Sequence, residues 1–195
     1  MTNPPTTVPP SDSPEPTPPG LPLSPGRWTL DAAHSSVSFS IRHLGISKVR
    51  GTFNSFRIDT WIGGRLDQCR VEAVIDVASI DTGNADRDAH TLAPDLLDVS
   101  RRPELRFVST EVVEHGAEWI LHGTLSIGDV TRPVSLDLAV GGVEVFPVDG
   151  TTHAGLELRG SIDRHDFGLH FGVVDPGLGR RVDVEFDVQL VAPGG

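Results

Sequence analysis

The chain has 195 residues, 16 basic and 27 acidic side chains and a net charge of −11, which suits one domain with a sizeable core and excludes a general affinity for nucleic acid or anionic membrane surfaces. A single cysteine excludes an internal disulfide and is typical of a reducing compartment. No apolar run reaches the about 18–20 residues of a membrane span, and the N-terminus lacks the pattern of a secretory signal. These features predict a cytoplasmic protein without stable membrane insertion.

Residues 1–26 are rich in proline, serine and threonine and contain few apolar side chains. Such a segment cannot bury enough apolar surface to offset the entropy lost on ordering. We therefore predict a disordered tail over residues 1–26 and one folded domain over residues 27–195. Recognition of a PxxP segment by a partner is the alternative to a passive tail.

From Arg27 onward, apolar and polar side chains alternate with a period of two, which places them on opposite faces of β-strands. Val37–His43 shows the pattern early, and Val182–Leu190 shows it most cleanly. The pair Gly128-Asp129 suits a tight hairpin turn. About eight strands at turn-punctuated spacing predict an all-β antiparallel barrel or sandwich. A barrel of about eight strands is either filled by side chains or holds one small ligand.

The segment 79–107 interrupts this pattern with the densest group of ionisable residues in the chain. Asn84 is suited to cap a short helix that would carry Arg87, Asp88 and His90 in its first two turns. Connections of this length inside a compact domain are usually functional or form structure of their own. We therefore predict a short helical insert between two strands.

The same insert raises the question of catalysis or metal binding. Asp88 and His90 could act as a general acid and base, as in a barrel-fold hydrolase or isomerase. However, the sequence contains no His-x-x-x-His, H-E-x-x-H, cysteine pair or G-x-S-x-G motif, and Arg87 would oppose a cation bound beside it. We therefore expect no metal, no cofactor and no catalysis.

Several segments, in the same order along the chain, resemble the YceI family. They are WTLDAAHSSVSFSIRHLG from Trp28, KVRGTF from Lys48, SIDTGNADRDAH from Ser79, PELRFVST from Pro103, GTLSI from Gly123, VTRPVSL from Val130 and GSIDRHDFGL from Gly160. The resemblance implies an extended eight-stranded, lipocalin-like barrel with a hollow apolar interior and a helix near one mouth. It also implies binding or carriage of a polyisoprenoid or related lipid. Where the family usually has paired phenylalanines, this chain has Leu96 and Leu97.

A ligand site follows from the resemblance and from the inward positions of the alternating strands. The expected apolar wall comprises Phe39, Ile41, Phe53, Phe107, Ile127, Leu136, Val184 and Phe186, and His43 and Phe167 are further expected ligand-binding residues. The expected polar end comprises Arg87, Asp88, His90 and Arg164, which would either hold a headgroup or form a network that pins the helix to the barrel. The expected partner is a long-chain lipid or isoprenoid, and a homodimer is left open.

Overall fold

The structure is a computed structural model that describes residues 20–194. Most of the predicted tail, residues 1–19, lies outside this range. Within residues 20–194, ten strands form one antiparallel sheet, and one α-helix, α1 (Ala85–Leu92), lies between strands β5 and β6. The strands are β1 (Gly26–His43), β2 (Ser47–Phe53), β3 (Phe56–Ile62), β4 (Arg70–Asp76), β5 (Ile80–Asp81), β6 (Glu104–His115), β7 (Glu118–Ile127), β8 (Val130–Val145), β9 (Thr152–Asp163) and β10 (Leu178–Val191).

The sheet closes on itself because β1 pairs with β10. The second part of β1 pairs with β2 and its first part pairs with β3. Since only Asn54 and Ser55 separate β2 from β3, these two strands share one position in the barrel wall. The two-residue strand β5 is attached to β2 outside that circuit. The result is a closed antiparallel barrel of eight strand positions with one short helix, as the sequence predicted.

Local signals in the sequence also formed the expected structures. The Asn84 side chain accepts a hydrogen bond from the backbone N–H of Arg87 and so caps α1, which confirms the predicted cap. Gly128 and Asp129 join β7 to β8 in a two-residue hairpin, and Gly128 has a φ of 57°. That positive φ is one that glycine adopts without strain. Among residues 20–194, no helix has both the length and the apolar character needed to cross a bilayer.

One half of the barrel interior is filled with side chains. Trp28, Leu121 and Leu190 are almost fully buried there. Phe107 and Leu136 belong to the same cluster, which we call the filled half. Two smaller clusters lie elsewhere in the interior, one around Val37, Phe53, Ile75 and Ile80 and one around Ile127, Phe167, Leu169 and Phe171. The barrel therefore has a packed part and a part built from separate apolar groups.

The folded part of the chain extends back before Gly26. Leu23 is 8% exposed and belongs to the filled half, and Leu21 packs against the same cluster. The indole Nε1 of Trp28 donates a hydrogen bond of 2.9 Å to the carbonyl oxygen of Ser24. For residues 20–26 the structure thus differs from the expected tail. Two leucines spaced by one residue bury enough apolar surface to hold this segment, despite the prolines around them.

Candidate ligand-binding cavity

A cavity of about 630 Å³ lies in the other half of the barrel. This volume falls within the about 300–1,000 Å³ that is usual for small-molecule sites. Its apolar wall comes from strands and from three connecting segments: Phe39, Ile41, Leu44, Val49, Phe53, Ile80, Leu96, Leu97, Leu105, Ile127, Ile162, Leu169, Phe171, Val173, Val174, Leu178, Val182 and Val184. The polar side chains in the lining are His43, Thr82, Arg87, His90, Thr91 and Arg164. The wall is therefore mainly hydrocarbon, with a few polar groups.

Two of the three phenylalanines in the wall lie against each other. The rings of Phe39 and Phe53 lie with their centroids 5.5 Å apart at an angle of 39°. Phe39 pairs across the sheet with Gly51, and a Cβ atom added to Gly51 would lie only 2.6 Å from the Phe39 ring. Glycine at position 51 thus allows the ring to lie across strand β2.

Three segments surround the opening of the cavity, which we call the mouth. They are the β1–β2 turn at Leu44, helix α1 with the residues that follow it, and the segment 164–178. The backbone N–H of Leu44 donates a 2.6 Å hydrogen bond to the carbonyl oxygen of Gly177, so the first and third segments touch. Leu44 is 62% exposed and Val173 is 98% exposed. The mouth therefore has an apolar rim.

Nine of the fourteen side chains expected at the site line this cavity: Phe39, Ile41, His43, Phe53, Arg87, His90, Ile127, Arg164 and Val184. The structure places the other five elsewhere, and one of them, Asp88, is hydrogen-bonded to Thr82. Phe107 and Leu136 pack in the filled half, and Phe167 is buried in the cluster with Ile127. Phe186 contacts both the filled half and the cluster with Phe53, so it lies between packed and open interior.

Arg164 is 1% exposed, and hydrogen bonds occupy its whole guanidinium group. Its Nε donates to the carbonyl oxygen of Gly179 at 2.9 Å, and Nη1 donates to the carbonyl of Leu169 at 2.6 Å and to Asp175 Oδ1 at 2.5 Å. Nη2 donates to the carbonyl oxygens of Asp175 and Leu178. A guanidinium has five N–H donors, so none is left for a headgroup.

Arg164 therefore holds the segment 164–178 against the barrel rather than binding at the mouth. Its guanidinium also lies 4.5 Å from the centroid of the Phe171 ring, a cation–π distance. The hydrogen bond from Arg164, together with that from the Phe171 amide, holds the pKa of the Asp175 carboxyl well below its usual range. The carboxylate is consequently ionised and able to balance the buried guanidinium charge.

Asp88 and Arg87 meet at Thr82 rather than at each other. Asp88 Oδ1 accepts hydrogen bonds from the Thr82 amide at 3.0 Å and from the Thr82 hydroxyl at 2.5 Å. Arg87 Nε donates to the Thr82 hydroxyl and Nη2 donates to the Thr82 carbonyl oxygen, each at 2.7 Å. The three residues bind the helix to the end of β5. Arg87 remains exposed, and its Nη1 makes no hydrogen bond within residues 20–194.

The structure does not bring Asp88 and His90 together. His90 Nε2 lies 3.3 Å from Asp95 Oδ2, whereas Asp88 faces Thr82. Residues two positions apart in an α-helix do not face each other. The acid–base pair of the alternative hypothesis therefore has no geometric basis in this helix.

Sequence reasoning missed much of the wall formed by the segment 164–178. Leu169, Phe171, Val173 and Val174 line the cavity but lie outside any strand. Their run FGLHFGVV does have a period of two, since Phe167, Leu169, Phe171 and Val173 alternate with glycine and histidine. The signal that was available is this alternation, which marks one apolar face even though the segment forms 3₁₀ turns rather than a strand.

A second concave region, of about 850 Å³, lies on the outer face of strands β1, β2 and β8–β10. Four of its six charged lining side chains form ion pairs. Arg159 contacts both Glu157 and Glu185, and Asp183 contacts both Lys48 and Arg181. These exposed pairs are typical of a solvated outer surface, so the interior cavity is the better candidate for a ligand.

Comparison with known proteins agrees with this architecture. Residues 28–190 match the YceI-like domain. A UPF0312 protein from Pectobacterium carotovorum is 34% identical over 144 residues, which cover 73% of this chain and 74% of the relative. BcnA from Burkholderia cenocepacia has a TM-score of 0.73 at 21% identity, over 82% of this chain and 98% of that chain. A polyisoprenoid binding domain from Saccharophagus degradans has a TM-score of 0.64 at 16% identity, over 87% and 100%. The chain is therefore a member of the YceI family.

Proposed function

We propose that this protein binds a long apolar molecule, such as a polyisoprenoid or a related lipid, inside the barrel without altering it chemically. The observation that carries the proposal is the cavity of about 630 Å³ with a largely hydrocarbon wall. An apolar cavity with a few polar groups at one end is the usual form of a small-ligand site. The solved polyisoprenoid binding domain from Saccharophagus degradans has the same fold, which supports an isoprenoid chain as one ligand of the required kind.

The wall supplies most of the affinity in this proposal. Each buried methylene group contributes about 0.8 kcal/mol, whereas one hydrogen bond to a charged group contributes about 1.5–3 kcal/mol. Four or so methylene groups thus outweigh one polar contact at the mouth. Since Arg164 has no free donor, the polar contact falls to Arg87, whose guanidinium is exposed beside the cavity. A ligand with an oxygen-bearing end group fits this arrangement with its polar end at the mouth.

The test is a titration of the purified, delipidated protein with prenyl alcohols and fatty acids of increasing chain length. We expect affinity to rise with each added methylene or isoprene unit until the cavity is full. Ile41→Trp should abolish binding because Ile41 lines the cavity and pairs with the lining residues Val49 and Val182. Ile46→Trp is the matched control, since Ile46 is 82% exposed and absent from the lining.

Two results would contradict the proposal. Affinity that does not change with chain length would mean that the wall contributes little. Equal binding by the Ile41→Trp and Ile46→Trp variants would mean that the ligand lies outside the barrel. Circular dichroism and thermal melting of both variants show whether the barrel is intact in each comparison.

A further inference from the structure

We propose that His165, His170 and Asp175 form a binding site for a divalent transition-metal ion such as Zn²⁺ beside the mouth of the cavity. One donor atom from each residue lies within 4.8 Å of the other two. Two imidazoles and one carboxylate are a donor set that zinc commonly takes in proteins. The inference does not depend on what the cavity binds.

Two short 3₁₀ turns bring the three side chains together. His165 lies in the first, Arg164–Phe167, and Asp175 lies in the second, Gly172–Gly177. Gly168, which has a φ of 70°, ends the first turn and reverses the chain. The His170 ring consequently lies 4.4 Å from the His165 ring, centroid to centroid, with 42° between their planes.

The carboxylate of Asp175 is held in place before any ion binds. Its Oδ1 accepts hydrogen bonds from Arg164 Nη1 at 2.5 Å and from the Phe171 amide at 2.9 Å. Its Oδ2 lies 3.2 Å from His165 Nε2. Tetrahedral zinc with bonds of about 2.0–2.1 Å separates neighbouring donor atoms by about 3.3 Å. The observed pair is therefore already at the spacing that coordination requires, and Arg164 fixes the carboxylate from behind.

The position of His170 is what favours a metal site over a plain ion pair between His165 and Asp175. An ion pair needs only one imidazole, yet the second ring lies against the first and is exposed. Within residues 20–194 the His170 side chain has no hydrogen-bond partner, so its ring nitrogens are free to bind an ion. Three protein ligands would leave a fourth position for water or another small ligand.

An ion at this site would tie together the segment 165–175, part of which lines the cavity. Phe171, Val173 and Val174 lie between the second histidine and the carboxylate and belong to the cavity wall. A bound ion would therefore stabilise one side of the mouth. Because ligands that bind the folded state raise the melting temperature, the same event gives a readout that does not depend on any lipid.

The experiment uses untagged, EDTA-treated protein and Zn²⁺ or Co²⁺ as the probe. We expect calorimetric titration to show one ion per chain, Co²⁺ to give the visible absorption of a tetrahedral N/O site, and Zn²⁺ to raise the melting temperature. His170→Gln should weaken binding by about tenfold or more and remove the thermal shift. His115→Gln is the matched control, since His115 is exposed at the end of β6 and outside the cluster.

Absence of stoichiometric binding by the parent protein would overturn the proposal, because His165 and Asp175 would then form only an ion pair. Equal metal affinity in the parent and the His170→Gln variant would also overturn it. So would an equal loss of metal affinity in the His170→Gln and His115→Gln variants. His170 is exposed, and circular dichroism of the variant verifies that its fold is retained. Failure of lipid binding in the chain-length titration would leave all these outcomes unchanged, so the two proposals fail separately.

Discussion

The buried guanidinium of Arg164 shows how one residue can determine the shape of a mouth without contacting a ligand's end group. It joins Leu169, Asp175, Leu178 and Gly179, which all lie in or beside the segment covering the cavity. The guanidinium donates to four carbonyl oxygens and to the carboxylate of Asp175, which also accepts a hydrogen bond from the Phe171 amide. Removal of the guanidinium therefore leaves several acceptors without partners in a partly buried place.

We predict that Arg164→Met lowers the free energy of unfolding by about 3–5 kcal/mol, the usual loss when one partner of a buried pair is removed. Urea denaturation of the variant and the parent measures the difference. The matched control is Arg181→Met, because Arg181 forms an exposed pair with Asp183 and should change stability by about 1 kcal/mol or less. Equal effects of the two substitutions would show that the Arg164 network does not hold the segment.

At the scale of residues, the sequence suggested Arg164 for the polar end of the site but left its role open between a headgroup contact and a structural network. The reason is that its partners lie 5 to 15 positions ahead in an irregular segment, where no periodic rule relates sequence spacing to distance. The same holds for His165, His170 and Asp175, which are five residues apart each time. That spacing matches no helical or strand period, so only the turn at Gly168 reveals their proximity.

At the scale of elements, helix α1 has little apolar surface of its own to hold it against the barrel. None of its residues is buried. It is attached through its cap at Asn84 and through the hydrogen bonds of Arg87 and Asp88 to Thr82. An isolated helix of eight residues is not stable in water, so these polar contacts, together with Leu92 packed against the cluster around Phe53, keep it in position.

We predict that Asp88→Ala lowers the free energy of unfolding by about 1.5–3 kcal/mol, because a charged acceptor of two hydrogen bonds is lost. Asp86→Ala is the matched control: both acids lie in the first helical turn and share the dipole effect, but only Asp88 contacts Thr82. Chemical denaturation and hydrogen exchange of the helix amides measure the two losses. A larger effect of Asp86→Ala would contradict the anchoring role of Asp88.

The elements themselves were largely predictable. Alternation placed Val184 and Val188 on the inner face of the last strand, and both side chains point into the barrel. Alternation predicts whether a side chain points into or out of the barrel, but not how far along the barrel axis it lies. That height depends on how each strand is staggered against its neighbours. Phe107 and Ile127 therefore looked equivalent in sequence, although the first packs in the filled half and the second lines the cavity.

At the scale of the whole molecule, stability and ligand capacity come from opposite halves of one barrel. Strand β10 crosses both, with Val188 in the filled half and Val182 in the cavity wall. The two valines are six residues apart on the same face of the strand, about 20 Å at 3.3 Å per residue. They form a matched pair in which residue type, strand and orientation are constant.

We predict that Val188→Ala lowers the free energy of unfolding by about 1–3 kcal/mol, because it opens a void in a packed core. It should leave affinity for a long-chain probe unchanged. Val182→Ala should lower stability by less than about 1 kcal/mol, since its side chain already borders open space, while it weakens binding of the probe. The measurements are urea denaturation and probe titration of both variants. Equal changes in stability and in probe affinity for Val188→Ala and Val182→Ala would mean that the two halves of the barrel do not have separate roles.

The filled half of the barrel closes the inner end of the cavity. Within residues 20–194 the filled half lies behind the cavity, so a molecule held there would arrive and depart through the mouth. A second ligand cannot enter behind the first and displace it. Exchange must therefore begin with dissociation of the first ligand through the mouth. The dissociation rate of the ligand should therefore fall as its inserted length grows. The end of the ligand that entered last leaves first, so an acceptor contacts that end first.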